Sequence, residues 1–277
     1  EINTIISLFK KYHFDEVYNL AAQSFVKSSF DVPLITSDVN ALGVLRLLET
    51  IRHFSKKTKF YQASTSEMFG NANKTFQNEK TPFDPQSPYA VSKVFAHNIV
   101  NNYRVSYKLY ACCGILFNHE SPLRGEEFVT RKIVKHAVEV KKGIRKKIIL
   151  GNIYAKRDWG YAKDYVEAMW LMLQQKKAED YVICTGKNTT IKEFVNMVFK
   201  TLKIKYNWFK IKNKEIAIEK KTKKILVDVN KINFRPSEVN YLKGSFKKAQ
   251  KNIGWKPNTS LNQLIEIMVS AELKNYK

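Results

Sequence analysis

The sequence predicts an α/β chain built on a doubly wound parallel sheet. Three observations carry that expectation. Apolar runs of strand length alternate with longer stretches of helical period through the first two thirds of the chain. The strand-like runs are continuously apolar rather than alternating, as in strands covered on both faces. Small or hydroxyl residues follow several of them, which suits a ligand crevice at the carboxyl ends of an open sheet.

In order, residues 3–12 read as a helix with apolar Ile5, Ile6, Leu8 and Phe9. Residues 16–22 read as a short buried strand ending in small residues. Asp38 is expected to cap a sheet-covering helix through Leu42, Leu45, Leu48 and Ile51. A strand over 59–63 leads into Ser64-Thr65-Ser66-Glu67. A loop with Pro82 and Pro85 follows, and Pro88 sits where a helix starts well. That helix runs past Phe95, Ile99 and Tyr103. Another strand is expected over 109–117. From Phe128 the texture changes: a helix with Arg131 and Lys132, a strand over 148–152, an apolar helix over 165–173 and a strand over 181–185. Beyond Gly186 the pieces are shorter and mixed, and an amphipathic helix around Leu261, Leu264, Ile265 and Met268 ends the chain.

Length and composition narrow the function classes. The 277 residues with 44% hydrophobic content suffice for a real core and exclude a disordered chain. No apolar run is long enough to span a bilayer. The three cysteines, Cys112, Cys113 and Cys184, lie in apolar strand-like runs and suit reduced cytoplasmic thiols better than disulfides or a zinc site. The net charge of +23 is dominated by scattered lysines, with no basic stripe interleaved with aromatics. It reads as solvated surface, and neither a nucleic acid nor a membrane is expected as a partner. A nucleic-acid binder would instead show steeply salt-dependent affinity.

The chemistry concentrates between Tyr61 and Lys93. Tyr89 and Lys93 stand four residues apart on one helix face. A nearby ammonium favours the phenolate, so Tyr89 is expected to act as a base with a lowered pKa. Thr65 can hold a substrate hydroxyl against it, and Glu67 adds a second proton-transfer group. Alone, Tyr-x-x-x-Lys is a weak signal. A strand ending in Ser-Thr-Ser-Glu-x-Phe-Gly, followed by Ser-Pro-Tyr-x-x-x-Lys, is stronger. The pair resembles the extended short-chain dehydrogenase/reductase family.

Longer runs sharpen the resemblance. They are Tyr18-Asn19-Leu20-Ala21-Ala22-Gln23-Ser24, Phe60-Tyr61-Gln62-Ala63-Ser64-Thr65-Ser66-Glu67, Asn118-His119-Glu120-Ser121-Pro122, Phe128-Val129-Thr130-Arg131-Lys132, Lys156-Arg157-Asp158-Trp159-Gly160 and Arg235-Pro236-x-Glu238-Val239. Together they are similar to GDP-mannose 4,6-dehydratases along nearly the whole chain.

That resemblance implies a Rossmann-like NADP-binding domain over 1–118 and 160–186. A smaller α/β domain for the GDP-sugar would occupy 119–159 and 187–277. It implies a hydro-lyase that converts GDP-mannose to the 4-keto-6-deoxy sugar nucleotide, at the head of deoxysugar routes such as that to GDP-fucose. Thr65, Glu67, Tyr89 and Lys93 would be catalytic. Leu20, Ala21, Ala22, Gln23, Ser24, His119 and Arg124 would join Tyr89 and Lys93 around NADP. Asn118, Val129, Lys132, Gly151, Arg157, Arg235 and Glu238 would hold the GDP moiety. A homo-oligomer, dimer or tetramer, is implied too.

Some residues depart from the pattern. No Gly-x-x-Gly-x-x-Gly precedes the first helix, so about two βα units, on the order of seventy residues, are expected to be missing. Ile35 stands where the family often has Tyr, Leu123 where it has Arg, and Ser245 where it has Asp. The remaining alternatives are another nucleotide-sugar dehydratase or an epimerase of the family, and an inactive truncated remnant. Glu67 speaks against an epimerase, which needs no C5 base.

Overall fold

The computed structural model describes residues 1–72, 76–211, 214–230, 239 and 241–276. The chain opens with α1 (Ile2–Lys11), β1 (Glu16–Asn19), α2 (Ser28–Asp31) and α3 (Pro33–Ser37). A π-helical turn, Asp38–Leu42, carries α3 straight into α4 (Gly43–Phe54). Then come β2 (Lys59–Thr65), α5 (Pro88–Ser106), β3 (Ala111–Leu116) and β4 (Asn118–Glu120). The next pieces are α6 (Val129–Lys141), β5 (Ile148–Leu150), β6 (Lys156–Arg157), β7 (Trp159–Tyr161), α7 (Ala162–Leu173) and β8 (Tyr181–Ile183). The last are β9 (Thr189–Thr190), α8 (Ile191–Thr201), β10 (Tyr206–Ile211), β11 (Lys214–Glu219), β12 (Ile225–Val229), α9 (Lys247–Ile253) and α10 (Leu261–Lys274).

The main sheet has the order β1-β2-β3-β8, and every pairing in it is parallel. Phe60 pairs with Ala111 and Thr65 with Leu116, so β2 and β3 end level. Every residue of β3 is buried, which is why its sequence lacks polar alternation. Adjacent residues face opposite sides of the sheet. Phe60 and Cys113 join Leu48, Ile51, Ala96 and Val100 beneath α4 and α5. Tyr61 and Cys112 join Ala168, Met172, Ile253 and Trp255 beneath α7 and α9. The sheet is therefore covered on both faces, as expected. Gly114 is required where it stands: a Cβ there would lie 2.2 Å from the Tyr61 hydroxyl oxygen. Truncating fully buried Leu48 to Ala would cost about 2–5 kcal/mol.

A second sheet, β10-β11-β12-β5, is antiparallel except for its last pair. It shares a core with α6, α8 and α10 through Ile133, Val195, Val198, Val227, Leu264 and Met268. Capping boxes start two of these helices, Thr190 with Glu193 on α8 and Ser260 with Gln263 on α10. Asp164 ties the two cores together. Its carbonyl accepts from Trp255 Nε1 at 2.8 Å, and its carboxylate accepts from the backbone of Asn258 and Thr259.

Three local expectations need correction. The strand expected over 16–22 ends at Asn19, and the small residues after it form a loop. The strand expected over 181–185 ends at Ile183, because Thr185 and Gly186 turn to bond Asp158. Asp38 does not cap a helix. Pro33 begins the helical run upstream, and the Asp38 carboxylate takes the Arg46 guanidinium at 2.6 Å instead.

Candidate active site

A cleft of about 580 Å³ opens where β1, β2 and β3 end and the second sheet begins. Its size is that of a small-molecule site. Thr65, Glu67, Tyr89 and Lys93 all line it. Ser87 caps α5 by accepting from the Ala90 amide, and Pro88 follows as the first helical residue. That start places Tyr89 in the first turn and Lys93 one turn later. β2 runs into a 3-10 turn, Ser66–Phe69, whose N-cap is Thr65: its hydroxyl accepts from the Glu67 amide at 3.2 Å. One local turn thus presents both the hydroxyl and the carboxylate.

The electrostatics differ from the sequence expectation. Burial pushes the Tyr89 phenol up to about 12. Its hydrogen bond with Thr65 and the Arg124 charge act in the other direction, while the Glu67 carboxylate adds to the rise. Lys93 is not among these influences. Its Nζ lies 5.9 Å from the Tyr89 ring centroid and donates to the carbonyl of Ala63 at 3.0 Å. Burial brings the Lys93 ammonium down to about 8. The expected lowering of Tyr89 by Lys93 is therefore absent, because the lysine is turned toward the strand backbone.

Of the residues expected around a cofactor, Leu20, Ala22, Ser24, His119 and Arg124 line the cleft. Ala21 and Gln23 do not. Gln23 anchors its loop: its amide donates to Asn40 Oδ1 at 2.8 Å, and its side chain donates to Phe25 O at 3.0 Å. The His119 ring stacks on Tyr165 at 4.9 Å and donates through Nδ1 to Phe117 O at 2.9 Å. That bond leaves Nε2 as an acceptor. Burial pulls His119 down to about 4, so the ring is neutral near pH 7. Arg124 stacks on Phe128 and meets Glu120 at 3.3 Å.

Of the residues expected around the GDP moiety, Asn118, Val129, Lys132, Gly151 and Arg157 line the same cleft. Val129 opens α6, whose N-terminus has no side-chain cap and borders the cleft. Burial lowers the Lys132 ammonium, and the nearby Arg145 and Lys27 charges add to the fall. Arg157 is buried and donates to Lys156 O. Arg235 and Glu238 lie outside the described residues. Ile35 and Leu123 are exposed and apart from the cleft.

Sequence reasoning missed several lining residues. Glu120 is a buried carboxylate that accepts from Thr130 at 2.6 Å and pairs with Arg124. Burial raises its pKa. Its place beside His119, just past the apolar run of β3, was the available signal. Trp159, Phe128, Ser64 and Lys27 also reach the cleft, and nothing in their spacing marks them. Among the described residues no cluster could hold a metal ion.

The family model described as GDP-mannose 4,6 dehydratase matches residues 1–268. The GDP-mannose 4,6 dehydratase of Dictyostelium discoideum is 48% identical over 279 residues, covering 100% of this chain and 78% of that protein. The GDP-mannose 4,6 dehydratase 1 of Arabidopsis thaliana is 50% identical over 264 residues, covering 94% and 68%. Among solved structures, RMD from Pseudomonas aeruginosa complexed with NADPH superposes with a TM-score of 0.84 at 22% identity, covering 99% of this chain and 86% of that one. The structural likeness bears on the fold alone; the sequence matches decide the family. With a family model covering nearly all of the chain and relatives close to half identical, the chain belongs to the GDP-mannose 4,6 dehydratase family.

Proposed function

We propose that this chain is a GDP-mannose 4,6-dehydratase, a hydro-lyase that uses NADP internally and releases water. The observation that carries the reading is the meeting of Glu67, Thr65 and Tyr89 in one cleft. A phenol and a carboxylate side by side supply the two proton transfers that dehydration needs and simple oxidation does not. Family membership and the names of the relatives support the substrate.

The residues fit a nicotinamide cofactor. The Lys93 ammonium has three donors, and the Ala63 carbonyl takes one of them, which leaves donors for ribose hydroxyls. Ala22 and Ser24 are small residues past a parallel strand, where a ligand can approach the backbone. When bound, NADP accepts the C4 hydride and returns it at C6. Tyr89 takes the proton of the C4 hydroxyl in its phenolate form, which Thr65 and Arg124 favour and burial opposes, with Thr65 holding that hydroxyl in place. The C4 ketone acidifies C5. Glu67 removes the C5 proton and hands it to the C6 hydroxyl as that group leaves as water. C5 then regains a proton, balanced by the one Tyr89 took from the C4 hydroxyl, so Tyr89 ends as it began and the net change is the loss of one water. His119 and Arg124 border the cofactor. Asn118, Val129, Lys132, Gly151 and Arg157 hold the nucleotide: the N-terminus of α6 and the two cations suit its diphosphate.

The rest of the reading follows from the same features. Residues 1–118 and 160–186 serve the cofactor, and 119–159 with 187–277 serve the sugar nucleotide. The chain forms a homo-oligomer through α5, which exposes Val91 and Phe95 beside exposed Leu34 and Leu42. Among the described residues no helix is long and apolar enough to cross a membrane. Three free buried thiols suit the cytoplasm.

The test is incubation of the protein with GDP-mannose and NADP, followed by mass spectrometry. A product lighter by one water supports the reading. Reduction or epimerisation without loss of water refutes it.

A further inference from the structure

Three consecutive residues of β2 meet three residues of α5 spaced one turn apart. Ala63 O accepts from Lys93 Nζ at 3.0 Å. The Thr65 hydroxyl faces the Tyr89 phenol closely enough to lower its pKa against the rise that burial imposes. Between them, Ser64 Oγ lies 3.2 Å from His97 Nδ1. Two of these contacts belong to the chemistry proposed above, and the third has no part in it. Ser64 and His97 are both buried. The far side of the imidazole faces Asp180, with Nε2 3.8 Å from Oδ2. Asp180 is itself fixed: it accepts from the Cys113 amide of β3 at 2.7 Å and from Arg104 Nη2 at 2.7 and 2.9 Å. The Phe83 ring meets the imidazole edge-on at 5.1 Å.

We propose, resting on the dehydratase reading, that His97 is a positioning residue of this active site. From α5 it clamps the end of β2 through Ser64, and Asp180 sets its ring. The carboxylate beside Nε2 places the ring proton there, so Nδ1 accepts from the Ser64 hydroxyl. Burial keeps the imidazole neutral: it lowers the His97 pKa, Asp180 opposes this, and Arg104 adds to it. The ladders with β1 and β3 hold β2, and the clamp fixes its last residues against α5, so that without it Thr65 and Glu67 shift relative to Tyr89. Misplacements of this kind act on turnover more than on binding.

The test compares His97→Phe and His97→Asn. Phenylalanine fills the site but cannot accept from Ser64. Asparagine is smaller and poorer in packing, yet carries a polar atom near the Nδ1 position. The expected result is a fall in kcat of about tenfold or more for His97→Phe, with KM within about twofold. His97→Asn should recover most of that loss. A packing role would give the opposite order. Ser64→Ala should lower kcat similarly and add nothing further to His97→Phe. Wild-type kcat in His97→Phe, or additive effects in the double variant, would overturn the proposal. Histidine ¹⁵N NMR of the resting protein separates this proposal from the functional one. It should show the Nε2–H tautomer and an Nδ1 signal that moves in Ser64→Ala. Wild-type inactivity would count against the dehydratase reading, whereas a protonated Nδ1, or an Nδ1 signal unmoved by Ser64→Ala, would overturn the histidine clamp.

Discussion

Lys93 points its ammonium at the backbone of the neighbouring strand, donating to Ala63 O at 3.0 Å rather than to the phenol one turn away. The charge is buried, and burial brings its pKa down from the ordinary 10.5 to about 8. Between those values the unfolded chain holds a proton that the folded chain has released. Stability therefore rises as pH increases from 8 to 10.5, and below 8 the full cost of burying the charge is present. Against Lys93→Met, wild type should gain ~3 kcal/mol over that window. Chemical denaturation of both proteins at several pH values measures it. A difference that stays flat with pH would show that the lysine is not buried as described.

Glu67 shares its turn with Thr65 and its cleft with Tyr89. Replacing it with glutamine keeps the shape and removes the acid/base. Glu67→Gln should lower water loss by about 100-fold or more. It should leave transfer of deuterium from C4-deuterated GDP-mannose to NADP detectable by mass spectrometry. Equal loss of both reactions would move Glu67 from C5 chemistry to an earlier step.

Asp158 is fully buried and collects the amides of Thr185 and Gly186 at 2.9 and 2.8 Å, with the Thr185 hydroxyl at 2.6 Å. Burial raises its pKa to about 6, against the pull of those donors. Asp158→Ala would strand the donors, which costs ~1–3 kcal/mol for each buried group left unpaired. Thermal melting should fall by several degrees. Because the adjacent Arg157 lines the cleft, KM for the sugar nucleotide should rise as well.

Phe95 is 41% exposed on α5, next to Val91 at 55%. Phe95→Glu places a charge on that apolar face. Light scattering should find wild type at twice the 32.3 kDa chain mass or more, and the variant shifted toward the monomer. A wild-type monomer would refute the proposed oligomer.

Some of this was legible in the amino acids. Tyr89 and Lys93 are four apart, so any helix brings them to one face, and Ser87-Pro88 says where that helix starts. The apolar run ending in Thr65 and Glu67 already placed a hydroxyl and a carboxylate at a strand's end. Continuous burial along β3 matched its lack of alternation. Local spacing could not supply partners distant in sequence. The direction of the Lys93 ammonium depends on a carbonyl thirty residues upstream. Gln23 left the cleft because Asn40 claimed its backbone, and Asp38 lost its cap because Arg46 claimed its carboxylate.

The sequence by itself determined the alternating α/β plan, the residue types of the chemistry and the family, since these follow from periodicity and from runs of adjacent residues. The tertiary structure alone decided which groups are buried together. It set the phenol at about 12 and the ammonium at about 8, and it put Glu120 and Ser64 into the cleft and His97 and Asp180 behind it. Desolvation and hydrogen bonding depend on neighbours brought together from far along the chain, and only folding brings them there.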